Sequence, residues 1–166
     1  MTNSDYIAIA SSLIALLALI TTIAQLRSAK RYNILSVRPL IRFHIKIDDA
    51  LTYSFENHGL GPALIMEFTI NVAGRKIANP THEQLQSALA VVPGNHIQAF
   101  EYEFHLPVVG AAYKPGQIIE LLSFSPLTSQ ENMSAFHFLE EQIEMVLLYQ
   151  SFYGEQVFGC GTRNHS

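Results

Sequence analysis

The most suggestive grouping of acid and base side chains in the sequence is Glu101, Glu103 and His105, which alternate with apolar residues. Side chains at i, i+2 and i+4 share one face of a β-strand, so these three groups lie close enough to act together as acid and base. The solvated face of an ordinary strand shows the same alternation. No Gly-x-Ser-x-Gly segment or phosphate-binding loop accompanies them. We therefore interpret this face as solvent-exposed and predict no catalytic residues and no enzymatic activity.

The histidines and the cysteine give no recognisable metal signature. Seven histidines are present, but they include no His-x-His pair, no His-Glu-x-x-His segment and no Cys-His cluster at ligand spacing. Cys160 is the only cysteine and lies between Gly159 and Gly161, where it is interpreted as a packing residue rather than a nucleophile. The sequence therefore predicts no metal ligands and no cofactor.

The first element of the chain is an apolar segment, residues 6–26, which contains no charged side chain. This length matches the roughly 20 residues that a helix needs to cross a bilayer. Arg27, Lys30 and Arg31 follow at once, whereas Asp5 is the only charge before the segment. Basic residues are retained in the cytosol, so we predict a single-pass protein of the cytoplasmic membrane with its N-terminus outside. A cleaved signal peptide, the alternative, would need a basic start and a shorter apolar core.

Charge divides the chain into a basic stem and an acidic body. Residues 27–46 carry six basic and no acidic side chains, whereas residues 47–166 carry four basic and thirteen acidic ones, a balance of 4 − 13 = −9. The stem is expected to contact anionic lipid headgroups, each basic residue contributing about 1 kcal/mol. The acidic body argues against nucleic acid as a partner, because phosphates are bound by Lys and Arg.

Small and weakly polar residues recur along the apolar segment at intervals of three and four. Such spacing places them on one helix face, where they favour close packing against a second copy or another membrane protein. The alternative explanation is that Ala, Ser and Thr are so common in this segment that such a stripe arises by chance. The stripe consists of Ala8, Ser11, Ala15, Ala18, Thr22 and Gln25.

After residue 36 the apolar period changes from helical to two, which predicts β-strands. A capping-box pattern at 81–84 predicts a short helix, and a second is expected over 134–140. We predict a mainly β fold with two parts: a transmembrane helix and stem (1–36), and an antiparallel β-sandwich of immunoglobulin-like type or a small barrel (37–166). The predicted strands cover 39–48, 51–56, 64–72, 97–106, 117–124, 143–152 and 156–162.

Two short motifs suggest a relationship to known proteins. Residues 57–63 read Asn-His-Gly-Leu-Gly-Pro-Ala, and residues 149–155 read Tyr-Gln-Ser-Phe-Tyr-Gly-Glu. The chain resembles a class of uncharacterised bacterial membrane proteins with one N-terminal spanning helix and a small β-sandwich that carries both motifs. That resemblance implies a membrane-anchored sandwich and supplies no activity. A weaker likeness is to membrane-anchored effectors of anti-phage signalling, which have two spanning helices and bind a cyclic nucleotide in a small β-barrel.

Each motif has a structural and a functional interpretation. In the first, the glycines are expected to allow positive φ in a turn, or the backbone forms a ligand or partner site. In the second, a tyrosine hydroxyl is expected to bond to backbone, or the aromatic residues of one strand face form a recognition surface. The candidate partner or ligand surface comprises Asn57, His58, Gly59, Gly61, Tyr149, Ser151, Tyr153 and Glu155.

The function that we expect is therefore a non-enzymatic binding or scaffolding module, held at the inner face of the membrane. The alternative is a membrane effector, for example in anti-phage defence, whose sandwich senses a ligand and controls packing of the transmembrane helix. An accessible cavity lined by convergent polar groups would favour the effector.

Overall fold

The structure is a computed structural model that describes residues 3–92, 100–126, 133–154 and 156–163, apart from the side chains of Asp5 and Leu35. The chain divides into two compact units, Met1–Ser36 and Val37–Ser166.

The first unit is one helix, α1, Asn3–Ser36, of 34 residues. Its segment Tyr6–Ile34 has a mean hydropathy of 2.4 and is long and apolar enough to cross a membrane. The hydroxyl of Ser11 donates to the carbonyl of Ile7 at 2.8 Å, and that of Thr22 donates to Ala18 at 2.7 Å. These polar groups are thus satisfied within the helix itself, which is what a hydrocarbon environment requires.

In its described residues, the second unit consists of two antiparallel sheets and two short helices. One sheet has the order β1-β2-β7-β5, and the other has the order β4-β3-β8-β9, with β6 also paired to β3. The prediction of a mainly β fold behind an N-terminal helix is confirmed. The strands are β1 Ile41–Ile47, β2 Leu51–Asn57, β3 Ala63–Val72, β4 Arg75–Ala78, β5 Phe100–Phe104, β6 Ala112–Tyr113, β7 Ile118–Pro126, β8 Ile143–Ser151 and β9 Val157–Gly161; the helices are α2 His82–Leu89 and α3 Met133–Gln142.

The inward faces of both sheets supply one hydrophobic core, so the unit is a β-sandwich. In β2 and β8 every second residue is buried, as the period-two pattern predicts. Leu85 and Leu89 of α2 and Phe136 and Leu139 of α3 complete the core. The helix α2 begins at the predicted capping box, in which Thr81 accepts from the N–H of Gln84 at 3.3 Å.

The sequence prediction missed two short strands. β4 follows β3 through a two-residue turn in which Ala73 and Gly74 have φ values of 50° and 83°, the combination that joins a tight hairpin. It has only four residues, three of them exposed, so it has no apolar period to detect. β6 has only two residues and lies between the predicted strands 97–106 and 117–124. The start of the predicted strand at 97–106 lies outside the described residues.

Candidate functional site

Asn57 is the buried centre of the first motif, at the end of β2. Its Oδ1 accepts from the N–H groups of Gly59 at 3.0 Å and Leu40 at 3.2 Å. Its Nδ2 donates to the carbonyls of Gly61 at 2.8 Å and Tyr113 at 3.0 Å. The amide therefore uses both donors and two acceptor positions on backbone. This side chain stabilises the turn and the segment that leads into β1.

The two glycines of this motif are required because there is no space for a Cβ atom at either position. Positive φ in the described part of the chain is found at other glycines, so the expectation that Gly59 and Gly61 use it is wrong. A Cβ on Gly61 would overlap the carbonyl oxygen of Val37, and a Cβ on Gly59 would overlap the backbone nitrogen of Leu40. The turn is thus the surface on which residues 37–40 lie before they enter β1.

The second motif does not form one aromatic surface. Tyr149 is buried, and its hydroxyl accepts from the N–H of Ile41 at 3.2 Å. Burial raises the pKa of Tyr149. β8 ends at Ser151, whose buried hydroxyl accepts from the N–H of Tyr153 at 3.2 Å, and Tyr153 is exposed in the following turn. Tyr153 therefore does not share the strand face of Tyr149, and Glu155 lies outside the described residues.

A cluster that the sequence analysis missed lies on the outer face of β1 and β2. Nε2 of His44 lies 3.2 Å from Nε2 of His58. Oε2 of Glu56 lies 3.3 Å from Nε2 of His58 and 3.7 Å from Nε2 of His44. These are two imidazole nitrogens and one carboxylate oxygen of the kinds that hold transition metals.

The signal for this cluster was present but divided between two strands. Glu56 and His58 are two residues apart and therefore project to the same side. His44 becomes their neighbour only through the register of the hairpin, in which it pairs with Ser54 while Arg42 pairs with Glu56. A search for ligand spacing along a single segment cannot find such a set.

A groove of about 480 Å³ lies where the edge of one sheet faces the edge of the other. Its walls are β1, with Ile41, Arg42 and Phe43, and β9, with residues 159–161. Cys160 lies in this wall; its thiol bonds weakly to the carbonyl of Leu147 at 3.8 Å, and burial raises its pKa to about 12. The thiol is therefore protonated at neutral pH, as befits a packing residue.

The other sequence-based candidates are exposed. Glu101, Glu103 and His105 have solvent-facing side chains beside the buried Phe100. The stripe residues along α1 are also exposed, and two of their hydroxyls bond to their own backbone. Contact of this stripe with another helix stays a prediction.

Residues 6–158 match the profile of a family described as Domain of unknown function (DUF8453). The matched range covers α1 from Tyr6 and continues into β9. No curated protein matches the chain.

Proposed function

We propose that this chain, which belongs to the DUF8453 family, is a single-pass membrane protein whose β-sandwich faces the cytosol and binds an extended segment of a partner protein in the groove lined by β1 and β9. The observation that carries the proposal is the groove between two sheet edges whose backbone groups point into it. Strand addition at an edge is a common mode of peptide binding, in which main-chain hydrogen bonds supply the affinity.

The register of β1 shows which of its backbone groups point outward. The N–H of His58 donates to the carbonyl of Leu40 at 2.8 Å, which makes this a hydrogen-bonded pair. Such pairs alternate along an antiparallel ladder, so the even-numbered residues of β1 bond to β2. Ile41, Phe43 and Ile45 therefore direct their N–H and C=O groups away from β2. The N–H of Ile41 is already bonded to Tyr149.

The backbone groups of β9 alternate in the same way. The N–H of Thr162 donates to the carbonyl of Met145 at 2.9 Å, so Cys160 and Phe158 also bond to β8. Gly159 and Gly161 then direct their backbone groups outward, into the groove that they line. Glycines leave the backbone open to a closely approaching strand.

The occupant that fits is an extended peptide carrying acidic side chains. In the described residues β1 and β9 each pair on one side only, and some of their Cα atoms lie within 8 Å of each other, so a bound strand would pair with the open backbone groups of one of them and lie against the other. Arg42 is exposed at the groove, and the guanidinium of Arg38 lies 4.3 Å from the centroid of the Phe158 ring on β9. Both arginines belong to the basic stem, residues 27–46, and lie next to β9 of the acidic body, residues 47–166. Charge complementarity of this kind supplies specificity and speeds association. The groove is walled by strand backbone with Arg42 as its one charged lining side chain, which favours a peptide over a small-molecule ligand that convergent polar side chains would hold.

The proposal is tested by photo-crosslinking of the full-length protein in its membrane. A photoreactive residue in place of Arg42 should capture a partner segment, and the same residue in place of Lys76, on the edge strand β4, should not. A synthetic peptide of the captured segment should then bind the purified full-length protein in detergent. Hydrogen exchange should slow at the amides of Phe43, Gly159 and Gly161 when it binds.

A matched pair of proline variants separates edge pairing from simple adhesion. V157P and K76P each remove an outward N–H from an edge strand, the first on β9 and the second on β4. V157P should weaken peptide binding at least about tenfold, and K76P should not change it. Equal effects, or exchange protection confined to other strands, would reject the groove as the binding site.

A further inference from the structure

We propose that His44, Glu56 and His58 form a binding site for Zn²⁺ on the outer face of the β1–β2 hairpin. The site is independent of the proposed peptide groove. It also departs from the sequence-based expectation of no metal ligands.

The spacing of the three ligand atoms fits tetrahedral coordination. With Zn–N and Zn–O bonds of about 2.0 to 2.1 Å, ligand atoms around a tetrahedral zinc lie about 3.3 Å apart. The observed separations are 3.2 Å between the two nitrogens, 3.3 Å from Glu56 to His58 and 3.7 Å from Glu56 to His44. A facial octahedral set around Mg²⁺ would need about 3.0 Å for every pair. The tetrahedral geometry is therefore met with smaller adjustments.

The chemistry of the three groups also favours a cation at their centre. Two imidazole Nε2 atoms that face each other share one hydrogen bond at most, and the carboxylate oxygen beside them is a further acceptor. A divalent ion satisfies all three groups at once. Imidazole nitrogen with one carboxylate oxygen suits zinc, whereas calcium and magnesium prefer oxygen ligands alone.

The fold holds the ligands on rigid backbone. Glu56 lies in the β1–β2 ladder, and His58 follows the fully buried Asn57, with its own N–H bonded to the carbonyl of Leu40. The side chains of His44 and His58 are 47% and 38% exposed, so the fourth position faces solvent. We assign that position to water, or to a donor atom of a binding partner.

Cobalt(II) is the probe that tests both binding and geometry, because tetrahedral Co²⁺ absorbs visible light far more strongly than octahedral Co²⁺. The full-length protein in detergent should bind one equivalent of Co²⁺ with the tetrahedral spectrum, and Zn²⁺ should displace it. H44A, H58A and the nearly isosteric E56Q should each weaken Zn²⁺ binding at least about tenfold. Circular dichroism would show whether each variant remains folded. If a histidine variant does not fold, the effect of E56Q on Zn²⁺ binding tests the site.

The chain contains a matched control pair. Nδ1 of His137 lies 3.4 Å from Oε2 of Glu140, which gives a similar histidine–carboxylate contact without a third ligand within the described residues. H137A should leave Zn²⁺ binding unchanged. Absence of saturable binding, a weak octahedral Co²⁺ spectrum, or an equal loss in H137A would overturn the proposal and leave a hydrogen-bonded trio of side chains.

Discussion

The hydroxyl of Tyr149 on β8 accepts a hydrogen bond from the N–H of Ile41 on β1, at 3.2 Å, and so joins the two sheets of the sandwich. The ring of Tyr149 lies against the ring of Phe158, with 5.7 Å between their centroids. The guanidinium of Arg38 lies over the ring of Phe158. Tyr149 therefore links the start of β1 to β8 and β9 of the other sheet. This contact satisfies an N–H that points away from β2.

Replacing Tyr149 with Phe should destabilise the sandwich by about 1 to 2 kcal/mol, because the buried N–H of Ile41 loses its partner. Tyr53 provides the control. It is equally buried, but its hydroxyl has no hydrogen-bond partner among the described residues, so Y53F should be neutral or slightly stabilising. Urea unfolding of the full-length protein in detergent, followed by near-ultraviolet circular dichroism, measures both. A larger loss in Y53F than in Y149F would contradict the assignment of the two hydroxyls.

The glycines of the Asn57 turn should be intolerant of a single methyl group. G61A places Cβ against the carbonyl of Val37 and forces a backbone shift, at a cost of roughly 3 kcal/mol or more. G116A is the comparison, since Gly116 has φ of +71° but open space around it. It should cost only about 1 kcal/mol, which is the backbone strain alone. Thermal unfolding measures the stability of both variants. Equal losses of stability in G61A and G116A would show that residues 37–40 can move away from the turn.

Cys160 should react slowly with alkylating reagents in the folded protein. Burial raises its pKa from an ordinary value of 9.0 to about 12, so the native thiol stays protonated where the unfolded one ionises. Between pH 8 and pH 10 the native labelling rate should keep rising about tenfold per pH unit, whereas the urea-unfolded chain should level off above about pH 9.

The same pKa shift has a consequence for stability. A thiol whose pKa is raised by folding contributes stability below about pH 9, and this contribution is lost as the pH rises toward 12. The C160A variant should therefore show a shallower fall in the free energy of unfolding above pH 9. The rate of labelling of Cys160 is measured by mass spectrometry. If the rates for the native and unfolded chains levelled off at the same pH, the raised pKa of the native thiol would be refuted.

Orientation in the membrane should follow from the charges that flank the apolar segment. A reporter that is active only outside the cytosol should be silent when fused after Ser166. Changing Arg27, Lys30 and Arg31 to Gln, while adding two lysines after Met1, should weaken or invert this orientation, because it reverses the charge difference. An unchanged orientation would mean that folding of the sandwich, rather than charge, keeps it on its side of the membrane.

Local patterns determined the parts of the fold that depend on neighbours in the sequence. The uncharged run 6–26 predicted the helix, alternation predicted strands such as β1, β2 and β3, and the Thr81 to Gln84 pattern predicted the start of α2. These features depend on periods of two or 3.6 residues and on caps, which a single segment contains in full. The short strands β4 and β6 were missed because they carry no such period.

Contacts between distant segments were decided only by the tertiary structure. The register of the β1–β2 hairpin brings His44 beside Glu56 and His58. Packing of residues 37–40 against the turn brings them into contact with Gly59 and Gly61. The packing of the two sheets places Tyr149 beside Ile41. The groove between β1 and β9 likewise exists because the two sheets bring their edges together. Strand order and pairing depend on the free energy of burying both apolar faces at once, and that is a property of the whole domain rather than of any segment.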